Sequence, residues 1–241
     1  MIALIRGEAI KLRSTRTAIG FTIAGVIVVV LLVLATTLGG DPSTVEGKRE
    51  ALSIGGLVSI VLVVFGIVGA TGEYRHRTVA PAILIAPDRT RVLLARAFAY
   101  AVTAVGVAIV MAVVSFAIGL PLLAGKEGPA LALSDCLELL GGGMLAAGLG
   151  ALIGVGIGAL IGNQVGAVVG FLVYFFIGEF TAAPLISDEV FKFTILRGET
   201  RIGGVAGDPS FDYLGSLGVV VGWAVILMLL GVLRERSREV T

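Results

Sequence analysis

Histidine, cysteine and tryptophan each occur once in this chain of 241 residues, and charged residues fill only 15% of it. Each scarcity removes a class of chemistry. A lone histidine, His76, excludes a histidine-based metal cluster and a Ser-His-Asp triad. A lone cysteine, Cys136, leaves no intrachain disulfide, and its place in an apolar run reads as that of a small packing residue. Gly47-Lys48 and Gly125-Lys126 are the only Gly-Lys pairs, and neither is followed by Ser or Thr or preceded by glycine at the spacing of a phosphate-binding loop. The glycines at 154–158 do not form a dinucleotide fingerprint either. We therefore expect no catalytic residue, cofactor or metal in this chain, and no enzyme activity of its own. Any work it does draws on an ion gradient or on a partner. A net charge of +1 gives no signal for nucleic acid. No cleavable signal peptide is expected, because the first apolar run follows Arg6, Lys11, Arg13 and Arg16 and is too long for a signal core.

What the chain does have is apolar length. Hydrophobic residues make up 57% of it, and the mean hydropathy is +1.04. Soluble domains carry roughly 45–50% apolar and about 25% charged residues, so a soluble fold could not hide this surface. A membrane-crossing helix needs about 20 apolar residues. The runs predict an all-α polytopic protein, a single transmembrane domain over 1–241, with six spans at about 18–38, 51–71, 97–123, 137–161, 165–183 and 213–233. The fourth and fifth come from one tract of twice the needed length. Its only polar pair, Asn163-Gln164 after Gly162, is where the chain is expected to turn.

Charge decides the sidedness. The N-terminal segment, the connection after the second span and the C-terminal tail hold twelve of the eighteen basic residues and five of the seventeen acidic ones. The segments on the other side hold the remainder, so the two sides stand at +7 and −6, matching the net +1. By the positive-inside rule both termini are cytoplasmic.

The connection 72–96 carries Arg75, Arg77, Arg89, Arg91 and Arg96 around an apolar group, Ile83, Leu84 and Ile85. It reads as a short amphipathic element from Thr78 to Ile85, stopped by Pro87. From the residues alone, a positive-inside loop with snorkelling arginines carries equal weight. Its pattern, Gly-Glu-Tyr-Arg-x-x-Thr followed by Leu-x-x-Pro-x-Arg-x-Arg and the basic Arg96, resembles the signature of ABC-transporter permease subunits of the type-2 exporter class. The likeness extends to the whole layout of six spans. It implies a coupling helix that fits a groove on a separate cytosolic ATPase subunit, with Glu73, Tyr74, Arg75, Thr78, Leu84, Pro87, Arg89 and Arg91 on the matching positions. Arg77 departs from the glycine usual at that position in the family. The resemblance also implies a second permease copy or a related permease, a bacterial plasma membrane, and a drug, peptide antibiotic or lipid as substrate.

Five further features complete the reading. Ile2, Ile5, Ala9 and Leu12 share a helical face, with Lys11 opposite and Arg6 and Arg13 flanking it. This is similar to the family's interfacial helix, and a simple membrane anchor is the alternative. Gly150, Gly154, Gly158, Gly162, Gly166 and Gly170 recur every four residues, a spacing that lets helix backbones approach closely in lipid. Glu138 and Glu179 are placed near span ends, as boundary groups or part of a pathway. Thr36, Thr37, Ser53, Ser59, Thr103 and Ser115 line a path or bond back to their own helices. The external segment 184–212 is too long for a plain connector. Its apolar residues, Phe191, Phe193, Ile195 and Leu196, resemble the family's external elements that dip toward the membrane. Two rival functions remain. A gradient-driven transporter should carry charged groups deep among its spans, and none is expected here. A non-transporting scaffold or sensor would leave the arginine-rich connection unexplained.

Overall fold

The computed structural model describes residues 2–14, 16–40, 42–75, 89–205, 207 and 210–237, and among these every regular element is helical. α1 (Ile2–Ser14) precedes α2 (Thr17–Leu38), α3 (Val45–Leu52) and α4 (Ser59–Arg75). α5 (Arg89–Ala124) and α6 (Leu133–Ile161) follow, then α7 (Gln164–Val173), which continues through a π-helical stretch, Tyr174–Ala182, into α8 (Ala183–Ile186). Two short helices, α9 (Asp188–Lys192) and α10 (Ile195–Ile202), lead to α11 (Tyr213–Ser237). Among the described residues five helices are long and apolar enough to cross a membrane, at Thr17–Leu38, Arg89–Ala124, Leu133–Ile161, Gln164–Ile186 and Tyr213–Ser237. This is the arrangement of a multi-pass membrane protein.

α2 illustrates how a span divides its surface. Gly25, Val29, Val33 and Thr37 are buried at four-residue spacing. Ile19, Ile23, Ile27 and Leu31 stand on the outward face, each more than half exposed. Such a stripe would be costly in water and is at home against lipid.

The second span departs from the continuous 51–71 read from the sequence. The chain is helical in α3, breaks at Ser53–Gly55, makes a 3₁₀ turn over Gly56–Val58 and restarts as α4, apolar through Gly72 but shorter than the five long helices. The break has a packing cause. A Cβ on Gly55 would stand 2.7 Å from the Glu199 carbonyl oxygen, and one on Gly56 would stand 2.5 Å from Thr200 Oγ1. Gly56 also takes φ +62°, a conformation open to glycine. The two glycines let α10 press against the chain where a straight helix would have blocked it.

α6 is the central helix, in contact with α4, α5 and α11. Its small residues set the approach distances. A Cβ on Gly154 would overlap the Val63 carbonyl oxygen of α4, and one on Gly158 would lie 2.7 Å from Ala70 Cβ. On the opposite side, a Cβ on Gly156 would stand 2.7 Å from Leu227 C in α11. Gly162 ends α6 at φ +69°, and Asn163 Oδ1 then accepts the Gly166 N–H at 2.9 Å to begin α7. Beyond this turn the series changes character: Gly166 and Gly170 are exposed, and nothing lies within 4 Å of a Cβ built on Gly170.

The two ends of the bundle differ chemically. At one, buried Arg96 at the root of α5 pairs with Glu8 of α1 at 3.5 Å and donates to the Ala70 carbonyl of α4 at 3.2 Å. Arg89 donates to the Glu235 carbonyl at 3.3 Å, and Arg236 to Thr90 Oγ1 at 3.0 Å, tying α5 to the end of α11. At the other end Arg49 of α3 clamps three partners: the Gly204 carbonyl, Asp135 at 2.9 Å and Glu138 at 2.7 Å. Lys48 reaches the carbonyls of Gly128 and Pro129. Of the expected stripe on α1, Leu12 is buried, Ile5 half-buried and Ala9 exposed, and the buried side also holds Glu8, which pairs with Arg96.

Candidate functional site

The segment before α11 builds the most unusual environment in the molecule. The stretch Ile195, Leu196, Glu199, Ile202 repeats at three- and four-residue spacing, so one face of α10 is apolar with a single carboxyl in it. All four side chains are buried. Thr194 caps the helix, its Oγ1 accepting the Arg197 N–H at 3.2 Å. α10 does not stay at the end of the bundle. A Cβ on Gly142 of α6 would overlap the Ile202 carbonyl oxygen, and one on Gly150 would lie 3.0 Å from Glu199 Oε1. At roughly 1.5 Å per residue, these positions lie about 14 and 26 Å along α6 from its start. α10 therefore lies beside the middle of a long apolar helix.

Two carboxyl groups meet here. Glu179, on the π-helical stretch, is 1% exposed. It accepts the Ile195 N–H at 2.8 Å, the Leu196 N–H at 2.9 Å and the Tyr174 hydroxyl at 2.8 Å. A π-helical turn widens the helix by one residue and commonly marks a functional position; here it presents Glu179 to the start of α10. The backbone N–H groups and the positive end of the short helix suit a carboxylate. Glu199, 0% exposed, has a poorer set of partners: Ser59 Oγ lies against Oε2, and Oε1 has none. Burial pushes the Glu199 carboxyl up to about 8, against a downward pull from the Ser59 hydrogen bond and with a further push from the Glu179 charge. The pair is thus one carboxyl with three donors beside another with almost none, the kind of contrast that separates protonation states in one site.

A cavity of about 180 Å³ adjoins this helix. Val29, Val33 and Thr36 of α2, Glu50 and Ser53 before the break, Gly56, and Leu196 and Thr200 of α10 are among the residues lining it.

The expected site residues are distributed unevenly. Glu179 was placed at a boundary within reach of water, and it is instead fully enclosed; the folding back of α10 removes the water. Glu138 is exposed, in the ion pair with Arg49. Glu199 stands in the external segment 184–212, and the sequence signal for it is a single carboxyl on the apolar face of Ile195, Leu196 and Ile202. Both carboxyls are enclosed among the helices, Glu179 on the long apolar segment Gln164–Ile186 and Glu199 on the short α10 packed beside α6. Of the polar residues, Thr36, Thr37 and Thr103 bond back to carbonyls of their own helices. Ser115 instead donates to the Leu52 carbonyl at 2.8 Å, Ser53 to the Gly203 carbonyl at 3.3 Å, and Ser59 joins α4 to Glu199. Glu73, Tyr74 and Arg75 form the last turn of α4, and Arg89 and Arg91 open α5. Thr78, Leu84 and Pro87 lie outside the described residues. Among those residues no cluster of metal-ligating side chains occurs. No protein-family model and no curated protein matches the sequence.

Proposed function

We propose that the chain is the transmembrane subunit of a bacterial ABC exporter of the type-2 class. In this reading it lies in the plasma membrane with six spans, α4 being the short second one, and with both termini cytoplasmic. A separate cytosolic ATPase docks on the connection between α4 and α5, and a second copy or a related permease completes the pathway. The substrate class, a drug, peptide antibiotic or lipid, follows from the resemblance of the connection to that family.

One observation carries the reading beyond resemblance. Arg96 ties together the root of α5, the last turns of α4 and the N-terminal helix α1 through Ala70 and Glu8. These are the two helices that flank the arginine-rich connection, plus the helix expected at the membrane surface. Force applied to the connection would move all three as a unit, which is what an external motor requires. The arginines gathered at that end suit the cytoplasmic face. A second reading, a gradient-driven transporter, draws on the buried Glu179 and Glu199, since intramembrane carboxyls commonly carry protons.

The separating experiment is recovery of an ATPase partner from membranes at matched levels of permease. Leu84→Asp places an unpartnered charge in the docking surface, at a cost of several kcal/mol, on the order of the penalty for burying an unpaired polar group. The expected result is loss of the ATPase and of transport from a correctly inserted permease. Equal recovery by wild type and variant would remove the exporter reading's main support. Orientation has its own measurement. A cysteine at Ser210, in a chain lacking Cys136, should react with an impermeant thiol reagent in whole cells, and one at Ser237 should not; the opposite labelling would overturn the topology.

A further inference from the structure

We propose that Glu199 is a reversible proton-binding site, filled from the side of the α10 cavity, and that its proton holds α10 seated against α4 and α6. The proposal stands whether the chain is driven by ATP or by a gradient.

The hydrogen-bond census is the starting point. Glu199 is completely buried, and its Oε1 has no partner. An ionised carboxylate here would have a single donor, the Ser59 hydroxyl, for two oxygens that can accept about four hydrogen bonds. Ser59 has one proton, and its Oγ also stands 2.6 Å from the Gly56 carbonyl oxygen, an acceptor only. With the Ser59 proton directed to Gly56, the contact between Ser59 and Glu199 calls for a proton on the carboxyl, which then donates to Ser59 Oγ. A neutral carboxyl satisfies both contacts and places no bare charge beside Gly150 and Val63. Glu179 makes the opposite case a few residues away, with three donors for an ionised group.

The charges around Glu199 do not offer another solution. Glu179, on the π-helical stretch, opposes ionisation. α4 presents Ser59, and its Glu73 and Arg75 belong to the far end of that helix. α6 presents Gly150, with Asp135 and Glu138 near its start and engaged with Arg49. α2 contains no ionisable residue, and those of α11 begin only at Arg234, apart from Tyr213 at its start. On α10 itself, Arg197 turns to the Gly207 carbonyl and the Phe191 ring, and Arg201 is the remaining cation.

The cavity supplies access. Gly56 and Thr200, neighbours of Ser59 and Glu199, line its wall, and the exposed Glu50 is part of its lining. The cavity wall stops at these neighbours, and Ser59 and Glu199 are buried behind it, so the proton reaches the carboxyl when α10 moves away from that wall. The sign of the effect follows. In an unfolded chain the carboxyl ionises near 4.5, and in the folded one near 8, so the folded state holds an extra proton between these values. The stabilisation from the seated proton is complete below 4.5 and is lost as pH rises through about 8. Above that range the carboxylate must find water, which it gains by α10 lifting toward the cavity that Thr200 lines.

The chain contains its own reporter. Its single tryptophan, Trp223, donates Nε1–H to the Phe193 carbonyl at 2.9 Å, one residue before the α10 cap. In the full chain in lipid nanodiscs, Trp223 emission should titrate between pH 6 and 9, and infrared spectra at the acidic end should contain the carbonyl band of a buried protonated carboxyl. Glu199→Gln, which keeps a neutral side chain of the same shape, should abolish both the titration and the band while leaving the acidic-side emission unchanged. Should that variant fail to assemble, Ser59→Ala serves instead: by removing the acceptor of the carboxyl proton it should shift the band. A wild type without the band, a band indifferent to both substitutions, or a titration that survives in Glu199→Gln would overturn the proposal.

Discussion

Glu179→Ala is expected to destabilise the protein more than any other single polar substitution in the described structure. Its buried carboxylate accepts two buried backbone N–H groups at the start of α10 and the hydroxyl of the partly exposed Tyr174. Hydrogen bonds to a charged group contribute about 1.5–3 kcal/mol each, and a buried donor left without a partner costs about 1–3 kcal/mol. Alanine orphans two buried donors together, while the exposed Tyr174 can turn elsewhere, so a loss of about 3 kcal/mol or more is expected, a large share of the stability of most folded proteins. Glu179→Gln keeps acceptor capacity on one oxygen and should lose about half as much, because its amide nitrogen faces donors with a donor of its own. Thermal unfolding in detergent, followed by the monodisperse fraction, measures both. A midpoint for Glu179→Ala within a degree or two of wild type would mean that α10 is not held in this way.

Gly154→Leu is the apolar counterpart. The α4 and α6 backbones approach so closely that a Cβ on Gly154 would overlap the Val63 carbonyl oxygen, and one on Gly66 would overlap that of Ala151. The neighbours are backbone atoms, which cannot rotate away. Overpacking costs typically about 1–3 kcal/mol and more where nothing can yield, and here the two helices must separate. The expected result is loss of folded, monodisperse protein. Gly158→Leu should follow in milder form, since its Cβ would stand 2.7 Å from Ala70 Cβ and 2.9 Å from the Ile67 carbonyl oxygen, a lesser overlap than at Gly154. Gly170→Leu should assemble as a folded chain, because the space around that position is open. Equal behaviour of Gly154→Leu and Gly170→Leu would separate the glycine series from helix packing altogether.

These two substitutions also mark how far the residues could be read without the fold. The four-residue glycine repeat was visible over its whole length, but it serves three different ends. Gly154 and Gly158 face α4, Gly162 ends a helix with positive φ, and Gly166 and Gly170 face outward. Periodicity reports which residues share a face of one helix; it does not report where that helix stops or what stands opposite. Glu179 was legible as an ionisable group near a span end, and its three donors were not, because they come from residues sixteen and seventeen positions later and from a π-helical turn. Glu199 was legible in principle, as the one carboxyl on the apolar face of Ile195, Leu196 and Ile202.

By itself the sequence determined the membrane-like, all-helical character of the chain and the places of its long apolar helices, although the longest, Arg89–Ala124, begins eight residues before the apolar run at 97 that marked it. Those properties depend on local composition, since an apolar run of about 20 residues suits the hydrocarbon core whatever its neighbours are. Tertiary structure decided the broken second span, the pairing of Glu8 on α1 with Arg96, and the enclosure of two carboxyl groups beside α10. The cost of a charge depends on the water and donors around it, and here both are set by segments far apart in the chain that meet only when α10 folds back among the long helices.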